Sequence, residues 1–270
     1  MLPQEKALAA ALAKRFIARP DVIAVQDHKG AYRPQETKFT YEVLLDHISG
    51  CVSLGHYLLS PESECKLFAY DLDLTKTGSA CKVEFGARGC RILRDTEQAC
   101  NPREEWLDPN SELRPHLALQ LHALASGLAW RIKRTYGFDA VVSYSGGKGL
   151  HVYGLCGKRP AGDCRAMAVS LLETWTAGGD PLFEPTRGEV FWRRTGEEFK
   201  CVDVELFPKQ DVLSKKEYGN LMRLPLGKHG RTGQRAFFVD LSQQPSRHDL
   251  FVEEDALLAL SEGSVRNGGK

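Results

Sequence analysis

The segment Phe68-Ala69-Tyr70-Asp71-Leu72-Asp73-Leu74 constrains this chain more than any other. Its aromatic and aliphatic residues read as a buried strand, and side chains alternate across a strand. Tyr70, Leu72 and Leu74 therefore share one face, and Asp71 and Asp73 share the other. Any fold that covers the first face gathers two carboxylates on the second. At about 4 to 5 Å in an effective dielectric of about 20, two such charges repel by roughly 4 kcal/mol, a cost that a divalent cation removes. Hard oxygen ligands suit Mg²⁺ or Mn²⁺. An exposed face with both acids solvated is the alternative. Val202-Asp203-Val204-Glu205-Leu206-Phe207 repeats the pattern and places Asp203 and Glu205 together, either as further metal ligands or as the wet face of an edge strand.

The overall charge limits what else the chain can be. Among 270 residues, 36 Lys and Arg oppose 35 Asp and Glu, for a formal charge of +1. That excludes a polybasic coat protein, so a nucleic acid would need a local patch. Residues 209–235 supply one, with seven Lys or Arg against two acids, 7 − 2 = +5. No apolar run is long enough to span a membrane, and Glu5 interrupts the start where a signal peptide would be apolar, so a cytoplasmic location is expected. The eight cysteines form no CxxC pair, which favours reduced thiols. Cys81, Cys90 and Cys100, with His116 as a fourth ligand, could hold structural Zn²⁺, but their spacing matches no standard zinc motif.

Periodicity predicts a helix over 4–18, a strand over 21–26 and then a Gly/Pro turn. A second helix follows over 41–49, between Thr40 as N-cap and Gly50 as C-terminal stop. Strands are expected in 52–59 and 65–74, and a mixed polar insertion over 75–110. Leu117, Leu121, Leu124, Leu128 and Ile132 mark a long amphipathic helix that ends at Gly137. Next come a hairpin over 140–155, a helix over 165–176, strands in 201–207, 220–226 and 235–241, and a terminal helix. This irregular alternation predicts an α+β fold, with 1–270 as a single domain.

Two more segments carry chemistry. In Ser145-Gly146-Gly147-Lys148-Gly149-Leu150-His151 the glycines leave backbone N–H groups open to an anion, and Ser145, Lys148 and His151 add a hydroxyl, a cation and an imidazole. Phosphate is the natural occupant, although the GxxxxGK[ST] spacing of a P-loop is absent and a plain tight hairpin would also fit. In Gly219-Asn220-Leu221-Met222-Arg223-Leu224-Pro225-Leu226-Gly227, Arg223 lies between apolar neighbours, where a long cation commonly has an anionic partner.

The ordered set FAYDLDL, SGGKGLHVY, VDVELFPKQ and GNLMRLPLG resembles the archaeo-eukaryotic primase superfamily, the primase-polymerases. RFIARPDVIAVQDHKGAY, LLDHISGCVSLGHYLL and TGQRAFFVD are most similar to its bacterial branch, found in mobile-element conflict systems and beside CRISPR loci. The likeness runs from about residue 15 to 241. It implies an RRM-like mixed sheet joined to an N-terminal α/β module, and templated synthesis and extension of primers from NTPs or dNTPs on single-stranded or primed DNA.

By position, the resemblance assigns Asp71 and Asp73 to two catalytic metals, with Asp203 or Glu205 as the third acid. Ser145, Gly146, Gly147, Lys148 and His151 would hold the triphosphate, and Arg223 and Asn220 would contact the nucleotide. Helicases, nucleases or CRISPR adaptation proteins are the partners it suggests. Helicase and accessory primase domains of larger relatives have no room in 270 residues. Two rivals are a non-catalytic RRM-like nucleic-acid-binding module, which would stack bases on sheet aromatics, and a DxD glycosyltransferase, which leaves SGGKGLH and Arg223 unexplained.

Overall fold

Burial of Tyr70, Leu72 and Leu74 against helices organises the molecule. The computed structural model describes residues 3–86, 89–195, 200–214, 217–246 and 249–261, with 81–97 described by backbone only. The chain opens with α1 (Pro3–Phe16), which buries Ala9, Leu12 and Phe16. Next come β1 (Ile23–Gln26) and β2 (Tyr32–Gln35). The expected Gly/Pro turn is shorter than its composition suggests, because Pro34 sits in β2, an edge strand that tolerates a missing N–H. α2 (Tyr41–Ser49) has its expected ends: Thr40 Oγ1 accepts from the Val43 N–H, and Gly50 takes φ 84°.

β3 (Leu54–Tyr57), β4 (Glu64–Cys65) and β5 (Phe68–Leu74) follow. The stretch expected to be a polar insertion is ordered as the hairpin β6 (Gly78–Gly86) and β7 (Gly89–Cys100), then α3 (Pro102–Leu107). Among the described strands the ribbon pairs only with itself, so its sequence need not carry one apolar face, and periodicity did not reveal it. α4 (Arg114–Tyr136) buries Leu117, Leu121, Leu124, Leu128 and Ile132 and stops at Gly137 with φ 73°.

β8 (Asp139–Tyr144) and β9 (Gly149–Leu155) form the expected hairpin. After β10 (Arg159–Pro160), α5 (Ala161–Glu173) starts four residues before the predicted helix. β11 (Thr176–Ala177), β12 (Asp180–Pro181), β13 (Phe183–Arg187) and β14 (Phe191–Arg194) were not foreseen. They are short and carry exposed charges rather than apolar alternation. β15 (Val202–Phe207), β16 (Leu221–Arg223), β17 (Phe237–Phe238) and α6 (Ala256–Leu260) lie within the predicted segments.

The main sheet runs β13-β14-β15-β5-β9-β8-β17, and each neighbouring pair is antiparallel. Inside it, β5-α4-β8-β9-α5-β15 is a split βαββαβ unit with spatial order β15-β5-β9-β8. The α+β class is as expected. The sheet expected to be mixed has antiparallel pairs throughout its described strands. α4 and α5 cover the Tyr70 face, where the Tyr70 hydroxyl donates to the Ala168 carbonyl at 2.8 Å. A second sheet, β16-β3-β1-β2, takes its edge strand from late in the chain, so the N-terminal module closes only when β16 returns to β3. Phe16 packs edge-on to Tyr153 with ring centroids 4.9 Å apart, seating this module on the acid-bearing side of β9.

Two histidines, His47 on α2 and His56 on β3, are fully buried in this module. His47 Nδ1 accepts from the Leu54 N–H at 3.0 Å, and Nε2 faces the Leu224 and Pro225 carbonyls at 3.2 and 3.0 Å, tying α2 to the turn after β16. A Cβ at Gly227 would collide with the His47 ring. Leu226 holds φ 76°, a left-handed conformation rare for a bulky residue. Burial pushes His47 down to about 4 and His56 to about 3. Both are neutral when folded and charge near 6.5 when unfolded, so the unfolded state binds more protons below that pH. Stability should therefore fall as pH drops from about 6.5 towards 4, by up to about 1.4 kcal/mol per unit for each histidine. Urea midpoints at pH 7, 6 and 5 should show this. The decline should be shallower in His56→Phe, and an equal slope would mean that His56 is not one of the groups responsible.

Candidate active site

Antiparallel register decides which functional side chains meet. Asp71 lies opposite Glu205 on one side and His151 on the other, and Glu205 is in turn opposite Phe191. One row across the sheet thus reads Phe191, Glu205, Asp71, His151, Ser143. The next reads Arg193, Asp203, Asp73, Gly149. Directly paired residues of antiparallel strands share a face with Cβ atoms about 5 Å apart, so all four predicted acids do converge.

The acids differ in surroundings. Lys148 is ion-paired with Asp73, and Lys209 with Glu205. Arg193 donates twice to Asp203 Oδ1, at 2.9 and 3.2 Å. Asp71 Oδ1 is buried without a hydrogen bond, and His151 Nε2 lies 3.5 Å from it. Burial, then Asp73 and Glu205, holds the Asp71 carboxyl well above the usual range, with Lys148 and Arg223 opposing. Register distinguishes the two candidates of the third motif: Glu205 stands opposite Asp71, whereas Asp203 stands opposite Asp73 at the wetter margin beside Arg193.

His151 belongs to this acidic row rather than to the glycine turn. Its Nδ1 lies 2.9 Å from the Tyr153 hydroxyl, and burial followed by Arg223 pushes its pKa down to about 4, so it is a neutral imidazole at pH 7. It can offer a hydrogen bond to an anion but no charge.

The glycine turn is more internally bonded than its sequence suggests. The Ser145 N–H donates to the Gly149 carbonyl at 3.2 Å, and the Gly147 N–H donates to Ser145 Oγ at 3.2 Å. Trp106 Nε1 donates to the Gly147 carbonyl at 2.8 Å, and Thr232 Oγ1 donates to that of Gly146. Gly146 needs its glycine, with φ 72° and the Gln234 carbonyl 2.9 Å from where a Cβ would stand.

Sequence reasoning missed His229, although GKH was in view. Its Nδ1 accepts from the N–H groups of Arg231 and Thr232 at 3.1 and 3.2 Å, so the proton sits on Nε2. That nitrogen lies 3.3 Å from the Cβ position of Gly147, on the turn itself. Trp106, which lies far away in sequence, left no signal of its role.

Arg223, half-buried on β16, faces the acids from the second sheet. Its Nη1 is buried without a hydrogen bond, and its charge depresses His151 and His229 and opposes the rise of Asp71. Asn220 is committed elsewhere: its Oδ1 accepts from the Lys209 N–H at 2.6 Å and its Nδ2 donates to Gln210 Oε1, fixing the turn that brings Lys209 to Glu205.

No group of three or more His, Cys, Asp or Glu among the described residues is gathered as a metal cluster, and Lys148, Lys209 and Arg193 each hold an acid. The donor set nevertheless fits a hard divalent cation, with carboxylate oxygens in adjacent register and one of them buried without a partner. The cysteines fit zinc less well. The side chains of Cys81 and Cys90 lie outside the described set, but the hairpin register pairs Cys81 with Glu97 and Cys90 with Phe85. At about 3.3 Å per residue, Cys90 sits roughly 13 Å further along the ribbon, whereas zinc needs every sulfur at about 2.3 Å.

Residues 188–255, about a quarter of the chain, match the family model described as the archaeo-eukaryotic primase domain of the TOTE conflict system. That segment contains β14, β15, Lys209, Arg223 and His229. No curated protein matches the chain. None of the described helices is long and apolar enough to cross a membrane.

An uncompensated carboxylate at Asp71 should cost stability until something binds it. Asp71→Asn should therefore raise the unfolding midpoint at pH 7 in EDTA by about 2–4 °C, near 1 kcal/mol. Because the folded pKa lies above the unfolded value, wild type should lose stability relative to the variant as pH rises from about 4. A lower midpoint for the variant would show that Asp71 is satisfied in the free protein.

Proposed function

We propose that this chain, which over residues 188–255 belongs to the archaeo-eukaryotic primase superfamily in its conflict-system branch, is a DNA-directed primase-polymerase. Its substrates would be NTPs or dNTPs and a single-stranded or primed DNA template. The observation that carries the reading is the register of β15, β5 and β9, which sets Glu205, Asp71 and His151 side by side, with Arg223 across the cleft.

Asp71, Asp73 and Glu205 would hold Mg²⁺ or Mn²⁺, with Asp203 beside them, and the bound ions would neutralise these acids and the charge developing on the α- and leaving phosphates. The protein's own groups position the rest. Arg223 Nη1, buried and unpaired, is a ready partner for a phosphate oxygen. His229 Nε2–H at the glycine turn can donate to the triphosphate, as can neutral His151. Lys148, held on Asp73 in the free protein, can reach phosphate once that acid has another partner. The reaction forms one P–O bond at the α-phosphate and breaks that to pyrophosphate, so its barrier is lowered mainly by alignment and charge. Asn220 contributes indirectly, through Lys209.

Asp71→Ala should abolish templated incorporation of labelled nucleotide in Mg²⁺ or Mn²⁺, while circular dichroism stays native. Arg223→Ala should raise the apparent nucleotide KM about ten- to hundredfold, the loss expected for one hydrogen bond to a charged group. Template affinity by fluorescence anisotropy at fixed salt should not change. Wild-type incorporation by Asp71→Ala would defeat the assignment, and an equal loss of template binding in Arg223→Ala would move that residue to the DNA track.

A further inference from the structure

The acidic rows do not stop at β15. Glu205 is opposite Phe191 on β14, so the ring of Phe191 lies on the acid-bearing face two strands from Asp71, about 10 Å away. The ring is half-buried. Arg187 and Lys209 sit over the ring, 5.7 and 5.5 Å from its centroid, with Arg187 its register partner on β13 and Lys209 ion-paired with Glu205. Arg193, exposed and two residues on, shares the face and holds Asp203, with Glu184 opposite it on β13. A depression of about 220 Å³ opens here, lined by Thr186, Arg187, Phe191, Trp192, Arg193 and Asp203. It is smaller than the roughly 300 Å³ at which drug-sized pockets begin, room for a ring system rather than a whole triphosphate. A half-exposed ring that carries two cations in the free protein suits a stacked base, which takes their place over the ring while they turn to its phosphodiester.

Position selects the strand. The glycine turn, Lys148 and His229 lie on the β8–β9 side of the acids, and Phe191 lies on the opposite, β14 side. In-line displacement at the α-phosphate puts the attacking hydroxyl opposite the departing pyrophosphate. With the triphosphate on the β9 side, the attacker must approach from the β14 side.

We infer that Phe191, with Arg187 and Lys209, forms a stacking platform for the nucleotide that supplies the attacking 3′-hydroxyl, the terminal nucleotide of the growing strand. The inference rests on the nucleotidyl-transfer reading above and adds to it the course of the second substrate. Asn220, by fixing the Lys209 backbone, is a positioning residue for the platform.

The test uses the full chain and a primed template whose 3′-terminal base is 2-aminopurine. Binding to wild type should quench its fluorescence by stacking. Phe191→Leu, which keeps an apolar side chain but removes the π face, should abolish the quenching and raise the primer-template KM about ten- to hundredfold, with the nucleotide KM within twofold of wild type. Phe191→Trp should retain both properties, which a merely structural role would not predict. Arg187→Ala should reduce the salt dependence of binding by about one phosphate contact. Unchanged quenching and primer KM in Phe191→Leu, beside a wild type that extends primers, would overturn the platform and leave the enzyme assignment standing. A rise in nucleotide KM alone would overturn it too, by assigning the ring to the incoming base. A wild type that neither binds nor extends the primer would overturn both readings.

Discussion

Register between β5 and β15 is the constraint on which the rest of the structure depends. Pairing Asp71 with Glu205 and Asp73 with Asp203 sets four like charges on one patch of sheet, and a slip of one residue would turn them into the helix-packed core. Such a patch is unfavourable in the free protein, and the fold offsets it locally. Lys148, Lys209 and Arg193 come from three different places in the chain, and each neutralises one acid. Asp71, in the middle, is left with its neighbours' repulsion and its own burial. A site that is strained when empty and relieved by a cation is a natural arrangement for metal-dependent chemistry.

The second sheet completes this patch rather than merely packing against it. β16 crosses from the C-terminal third of the chain to the edge of β3, and that crossing presents Arg223 to the acids. His47 holds the turn immediately beyond, where Leu226 takes its left-handed conformation. The glycine turn is likewise supported from outside its hairpin by Trp106 and Thr232. Strands carry the acids, His151 and Arg223, loops carry Lys148, Lys209 and His229, and distant segments fix them, as preorganisation requires.

Much of this was legible in the sequence because it is local. Alternation in FAYDLDL and VDVELF put each pair of acids on one face, the leucine spacing marked α4, and Thr40 and Gly50 bounded α2. Other features gave no such signal. Among the described strands β6 and β7 pair with each other alone, β7 interrupts its apolar residues with a polar run, and β13 and β14 bury one large side chain each, too few for alternation to register. His151 was grouped with the turn by proximity in sequence, yet its place is set by the residue opposite it on β5.

The sequence by itself determined which residue types share a strand face, where α2 begins and ends and where α4 stops, and, through four ordered motifs, the family it resembles. These follow from backbone periodicity and local sterics, which extend only a few residues. Tertiary structure decided which strands are neighbours and in what register, and hence that Glu205 stands opposite Asp71 and Asp203 opposite Asp73, that Asn220 supports Lys209, and that His229 meets the glycine turn. Those relations depend on long-range pairing and on the competition among charges for partners, and neither is encoded at any fixed spacing along the chain.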